Sequence, residues 1–286
     1  MDSGKDIQHY YHANASAWGG RLDFPIDVTL PVLAPTSLPS VGGYLQAQHD
    51  GFRVGGILSI ESAYTELSGA QNPEDGSFHT RVTAVIERVN IANVLFADRI
   101  AMHLSTNHPP DAYYPTVSFD GTEFVGLHAN ACELTPELDL SAFETDGYPD
   151  QSWLYNPRLR EFARNQSSEL AAGAARVVGK NIPFFDRLLK RHSDDGPNSD
   201  KAIAARGNII CTVVKKIQVA GICTDTTVVG NALHIADFGR VILGELIVDG
   251  NSFNLTMLRV DLGSGTTGRG SGPQGGANGS PTGPTG

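Results

Sequence analysis

The stretch Thr80-Arg81-Val82-Thr83-Ala84-Val85-Ile86-Glu87-Arg88-Val89 sets Val82, Ala84 and Ile86 on one side of an extended chain and Thr83, Val85 and Glu87 on the other. One face is wholly apolar and the other mixed. A half-buried β-strand reads this way because successive side chains point to opposite faces. Working outward, short runs of Val, Ile, Thr and Phe broken by turn residues predict strands over 52–67, 79–89, 93–104 and 116–127. Within TVSFDGTEFVGL (116–127), Asp120-Gly121 predicts a tight hairpin, since that dipeptide supplies the positive φ angles such turns need. A second β block over 208–262 carries NIICTVVKKIQVAG, TTVVGNALHI and VILGELIVDGNSFNLTMLRVDL, with Asp249-Gly250 opening another hairpin.

Between the blocks the apolar period lengthens. Asn156 can cap a helix whose first turn holds Pro157, where a missing donor costs nothing, and Leu159, Phe162, Leu170 and Ala174 form its stripe. A second helix is expected over 184–191, entered through Pro183, and HSDDGPNSDK (192–201) is expected to be a polar loop. The fold class is therefore mainly β, a sandwich or barrel, with a helical insertion near 153–192. A short β-solenoid is the alternative, because the order strand, DG turn, aromatic recurs at 119–127 and 248–255. Two copies fall short of the three or more units a solenoid stacks.

The two ends read differently. Pro25, Pro31, Pro35 and Pro39 mark residues 1–40 as an extended N-terminal arm, and Ile26, Val28, Leu30, Val32 and Leu33 predict that it packs on the β-rich domain, 41–262. Residues 263–286 hold ten glycines and three prolines with no apolar side chain larger than that of Ala277. That composition predicts a disordered tail, since nothing in it offsets the entropy of ordering.

Only 18% of the 286 residues are charged, and the net charge is −10. A field of that sign repels phosphate backbones and anionic membranes, so a nucleic-acid partner is not expected. No stretch approaches the ~18 consecutive apolar residues of a membrane span, and the first residues lack the apolar run of a signal peptide. The expectation is a cytoplasmic chain, or one secreted by a non-classical route. Cys132, Cys211 and Cys223 include no C-x-x-C pair and read as buried free thiols, with a Cys211–Cys223 bridge as the alternative.

Motifs that suggest chemistry lose their context on inspection. Gly263-Ser264-Gly265-Thr266-Thr267-Gly268 spells G-x-G-x-x-G, but neither the helix nor the acidic residue of a dinucleotide site follows. Read from Asp261, the string resembles the phosphate loop of actin and Hsp70-type ATPases, but in that family the loop opens the chain between two strands and a nucleotide domain follows it, which its place at the C-terminus does not match. His9 and His12, and His103 and His108, each offer two imidazoles without a third ligand at a recognised spacing, and no cofactor is expected. Asp194, Asp195, Asn198 and Asp200 present oxygen ligands to a Ca²⁺-like ion without EF-hand spacing. No nucleophile elbow, S-x-x-K or H-E-x-x-H is present, so no catalytic residue is assigned. Glycosidase chemistry needs only two carboxylates across a cleft. Glu61, Glu66, Glu87, Asp98 and Asp120 lie on or beside predicted strands, with nothing in the sequence to pair any two. Trp18, Tyr113, Tyr114, Trp153 and Tyr155 lie near predicted loops as sugar-stacking platforms, against the simpler reading of core packing.

YYHANASAWGG (10–20), VTAVIERVNIANVLFADRIAMHLSTNHPP (82–110), PTVSFDGTEF (115–124), FGRVILGELIVDG (238–250) and LTMLRVDLG (255–263) resemble a group of uncharacterised bacterial β-rich proteins of unknown function. The middle and last of these runs are also similar to bacterial surface domains of the "choice-of-anchor" type. The resemblance implies a structural or binding role and transfers no site residue. The reading is a non-enzymatic, self-associating β-rich protein, a component of an assembly whose partner is another copy of itself. The alternative is a carbohydrate-binding or carbohydrate-active β-protein.

Overall fold

The structure, a computed structural model, describes residues 8–112, 114–144, 152–180, 182–192, 196–264 and 266–282. At the N-terminus β1 (Gln8–Ser16) and β2 (Trp18–Phe24) run on as one line, and β3 (Val28–Leu33) and β4 (Thr36–Ser37) return along them as the other arm of a hairpin. A meander follows: β5 (Gly43–Val54), β6 (Leu58–Gln71), β7 (Phe78–Ile91) and β8 (Leu95–His108), each antiparallel to the last. The short strands β9 (Thr116–Ser118), β10 (Glu123–Val125) and β11 (His128–Ala129) share the far edge of β8, and β12 (Cys132–Leu138) pairs with β11.

Three helices come next, α1 (Pro157–Val177), α2 (Pro183–His192) and α3 (Asp200–Arg206). The chain then crosses between sheets at Val213, from β13 (Ile209–Thr212), which pairs with β17, to β14 (Val214–Gly221), which pairs with β12. β15 (Thr226–Val229), β16 (Ala232–Ile235), β17 (Gly239–Asp249), β18 (Ser252–Ser264) and β19 (Thr266–Thr282) complete the first sheet, where β19 lies between β18 and the β1–β2 line.

Among the described residues this makes a ten-stranded and a nine-stranded sheet, stacked with β19 and β1 over β6, β7 and β8. Val82, Ala84 and Ile86 are wholly buried in the space between, as their alternation predicts. The core-facing parity slips once: β7 buries Phe78, Thr80, Val82, Ala84 and Ile86, then Val89 and Ile91. The slip recurs on β6 after Ile60 and on β8 after Ala97, and positive φ at Gly51 and Arg88 marks the same row. A crease of this kind bends a large sheet and locally interrupts its ladder, which skips Gly51 on β5, Ile60 and Glu61 opposite Arg88 and Val89 between β6 and β7, and Arg88 and Asp98 between β7 and β8. The helices cover the outside of the first sheet. Asn156 caps α1 by accepting from Leu159 N at 3.1 Å, and Leu159, Ala163 and Ala174 turn inward toward β13 and β15.

The mainly β class with a helical insertion holds, as two stacked sheets with no solenoid, and the helices run on to Arg206 because Ser199 caps α3 within the stretch read as loop. Four readings change. The predicted strand over 52–67 is two strands, joined at 55–57. At Asp120-Gly121 the chain does not reverse: β9 and β10 both run antiparallel to β8, and Gly121 (φ 87°) is an outward jog between them. Thr122 spans the jog, its hydroxyl accepting from His103 N at 3.0 Å and donating to His103 O at 2.9 Å in place of a backbone pair. The 1–40 arm is, from Gln8 on, the edge hairpin of the first sheet, where Pro31 and Pro35 lie on its outer arm and remove donors nothing needs.

The fourth reading concerns 263–286. Up to Thr282, the described residues carry the end of β18 and β19, a strand paired on both sides, and the G-x-G-x-x-G string falls across the end of one and the start of the other, with Gly263 opposite Thr267. The strand contributes little side-chain area, and its neighbours occupy the space instead. A methyl at Gly275 would lie 2.6 Å from Met102 Cε and 2.7 Å from Val82 Cγ1, and one at Gly270 would lie 2.5 Å from Trp18 Cζ2.

Cysteine pairing also differs from expectation. Cys132 is bridged to Cys223, 91 residues on, because β12 pairs with β14 and brings Cys132 opposite Gly221. Cys211 is the free, buried thiol.

Two outcomes test this architecture. Gly275→Val should lower unfolding stability by about 1–3 kcal/mol or more in urea, by forcing apart two packed sheets, whereas Gly263→Ala, whose methyl meets only Gly239 Cα at 4.0 Å, should stay within about 0.5 kcal/mol. Denatured but unreduced protein should show one titratable thiol and reduced protein three, and Cys132→Ala/Cys223→Ala should cost about 2–4 kcal/mol.

Candidate functional site

Alternation places every second residue of β6, β7 and β8 on the outer face of the nine-stranded sheet, and register decides which of them meet. Glu66, Thr83 and His103 form one transverse row, and Ser68, Arg81, Ser105 and Ser118 the next. The jog at Asp120-Gly121 rises beside these rows as a wall. The result is a cleft of about 420 Å³, lined chiefly by Tyr64, Glu66, Arg81, His103, Ser105 and Asp120.

Fixed contacts hold this cleft open. His103 Nδ1 lies 3.1 Å from Thr83 Oγ1, and a Cβ on Gly121 would come 3.1 Å from the His103 ring, so Gly121 sets how close the wall can stand. Asp120 accepts from Ser118 Oγ at 2.6 Å. At one end Arg99 donates to Glu87 (2.9 Å), Glu123 (3.0 Å) and the Tyr64 hydroxyl (3.2 Å), and Glu87 also accepts from Ser62 (2.8 Å). Arg88 and Glu61 form a further pair. Burial, and then the Arg99 charge, hold the His103 imidazole below its ordinary pKa of 6.5. Its neutral form is thus favoured near neutrality, where it can both donate and accept.

Glu66 and Asp120 are the two strand acids that share the cleft, while Glu61 and Glu87 are engaged by Arg88 and Arg99. The residues flagged in the sequence lie elsewhere. Trp18 and Trp153 are buried to 2% and 0% exposure; Trp153 donates to Pro115 O at 2.8 Å and its ring meets Phe253. Neither offers a face to a sugar, which corrects their reading as platforms. Tyr114 is half-buried, Tyr155 is exposed with the Arg160 guanidinium 5.4 Å over its ring, and Tyr113 lies outside the described residues.

The Ca²⁺ candidates fare similarly. Asp194 and Asp195 lie outside the described residues. Asn198 is buried, its amide donating to Ile210 O (2.7 Å), Ser167 Oγ (3.0 Å) and Ala163 O (3.1 Å) while Oδ1 accepts from Ile210 N. It ties α1 to β13 and has no oxygen to spare. Asp200 accepts from Arg160 at 3.1 Å. Among the described residues no three His, Cys, Asp or Glu side chains gather as a metal cluster, and no helix is long and apolar enough to cross a membrane. Sequence reasoning weighed His103 only as half of a metal pair with His108, and missed Arg81, Thr83 and Tyr64. Alternation marks them as outward-facing, but only register brings them together.

Residues 9–249 match the family described as "Domain of unknown function (DUF8256)", and the chain belongs to that family. No curated protein and no solved structure matches the chain.

The cleft electrostatics are measurable. In an NMR titration the His103 imidazole should titrate below 6.5, and Arg99→Met should move its midpoint upward by removing a repelling cation and freeing Glu87 and Glu123. The sign for stability follows from the lowered folded value. The contribution of a neutral His103 is present above about pH 6.5 and is lost as pH falls through the folded midpoint.

Proposed function

We propose that this member of the DUF8256 family is a non-enzymatic structural protein that associates with copies of itself by strand addition at β5. The observation that carries the reading is the contrast among the sheet edges. Among the described residues, β5 is twelve residues long and pairs on one side only, with β6, through eleven of them. The other edges carry the usual guards against edge-to-edge pairing. The outer arm of the N-terminal hairpin has Pro31 and Pro35, β14 has Lys215 and Lys216, and β15 is four residues long. β5 has no proline and no lysine, its crease at Gly51 leaves Gly43 to Asp50 as an uninterrupted run, and it exposes Tyr44 and Leu45, with Val41 just before it. Two copies related by a two-fold axis would pair β5 with β5 and join their nine-stranded sheets.

Sedimentation velocity at tens of micromolar should show a dimer or larger species, and Gln46→Lys/Gln48→Lys should shift it toward monomer with unchanged circular dichroism. A wild-type monomer would remove the proposal. Deleting residues 1–40 is a poor test, because it strips the edge hairpin from the first sheet.

A second reading, a carbohydrate ligand, is favoured by the cleft itself. Glu66, Arg81, His103, Ser105 and Asp120 offer donors and acceptors of both charges over an area suited to a polyhydroxylated molecule, with the Tyr64 ring alongside and Tyr44 beyond it on β5. A glycan array followed by calorimetry on Glu66→Gln and Arg81→Met discriminates. Binding that both substitutions weaken supports it, and an empty array sinks it.

A further inference from the structure

At the end of the sandwich where β1 begins and β8 ends, the core turns polar. His108, Thr106 and Thr80 point inward from β8 and β7, with Phe78 beside them and His9 above on β1. His9 and His108 are 7% and 1% exposed, yet both ring nitrogens of each, and the hydroxyls of Thr80 and Thr106, lack a hydrogen-bond partner. Six buried polar atoms without partners in one place are not a feature a core retains for stability, since each costs about 1–3 kcal/mol. The His9 ring stacks on Phe78 at 4.5 Å and stands 5.0 Å from the His108 ring, tilted by 58°. This arrangement joins one member from each histidine pair noted in the sequence.

We infer that His9 and His108 are two ligands of a site for a single borderline transition-metal ion of the zinc type, completed by water and by the hydroxyls of Thr80 and Thr106. Two imidazoles bound tetrahedrally to one ion, each at about 2.0 Å, place their ring centroids about 5 Å apart, close to the separation observed. The two imidazole donors suit Zn²⁺, Co²⁺, Ni²⁺ or Cu²⁺ better than Ca²⁺ or Mg²⁺. The chain's net charge of −10 favours an approaching cation. An ion there would tie the N-terminal hairpin of one sheet to β8 of the other.

The test uses the full chain, Zn²⁺ and Co²⁺ as chlorides, and calorimetry, thermal unfolding and Co²⁺ absorption as readouts. We expect one ion per chain, a raised Tm, and a visible Co²⁺ band typical of four-coordination. His9→Gln and His108→Gln should each weaken binding at least as much as the about 10- to 100-fold that loss of a supporting second-shell partner costs. His12→Gln, on the exposed face of β1, should bind as the wild type does. Should either variant unfold, Thr80→Val and Thr106→Val keep both imidazoles and should shift the Co²⁺ band. No stoichiometric binding by the wild type, or binding that His9→Gln and His108→Gln leave intact, would overturn the inference.

Discussion

The structure depends on how closely two sheets can approach along β19. A strand crossing the middle of a sandwich ordinarily contributes side chains to the core. β19 contributes backbone, and lets Val82, Met102 and Trp18 extend into space that its own side chains would fill. Its ordering cost is high, at roughly 1–2 kcal/mol per residue and more for glycine. Hydrogen bonds to β18 on one side and to β1 and β2 on the other offset that cost, as does apolar area that belongs to other strands. Other contacts are equally close: a Cβ on Gly272 would strike the Ala17 carbonyl, and one on Gly276 the side-chain amide of Asn254. Small residues recur where β1 faces the meander, at Ala13, Ala15 and Ala17, all buried. The whole seam is thin, and large side chains across it fill the gap.

This explains which parts of the fold could be read in the sequence. Val82, Ala84 and Ile86 carry their own signal, as do the Asn156-Pro157 helix start and the strands from 208 to 262. β19 does not, because the area that orders it is written in residues ~170 to 260 positions away. Composition treats a glycine tract as unable to stabilise itself, which is correct of the isolated segment and wrong of a strand held on both sides. The Asp120-Gly121 reading failed for a related reason. The dipeptide supplies a positive φ at Gly121, but whether the chain reverses or jogs is decided by which strand lies alongside, and β8 accepts both β9 and β10.

The cysteines and the cleft follow the same rule. The sequence reads all three cysteines as buried free thiols, with Cys211–Cys223 as the alternative, whereas the β12–β14 pairing joins Cys132 to Cys223 and leaves only Cys211 free, buried beneath the helices, its thiol pushed up to about 12 by burial. Such a thiol is a poor nucleophile, so it stays inert. In the cleft, the outward direction of Glu66, Thr83 and His103 was legible from alternation. Their meeting in one row depends on three registers, each fixed by the hydrophobic pattern of a whole strand.

Cleft and open edge occupy the same sheet, and this joins the two functional readings. The row that begins with His103 and Thr83 passes through Glu66 to Gln46 on β5, and Tyr44 lies opposite Ser68 in the next. A strand added at β5 would therefore extend the cleft floor and place new side chains beside Tyr44. The crease at Gly51, Glu61, Arg88 and Asp98 crosses these same strands, with the Arg88–Glu61 pair on its outer side. It bends the sheet so that the outer face between the crease and the Asp120-Gly121 jog is framed on two sides while the side toward β5 stays open. Binding in the cleft and pairing at the edge would then compete for, or share, the exposed surface around Tyr44. Were both to occur, each would change the affinity of the other by the same factor.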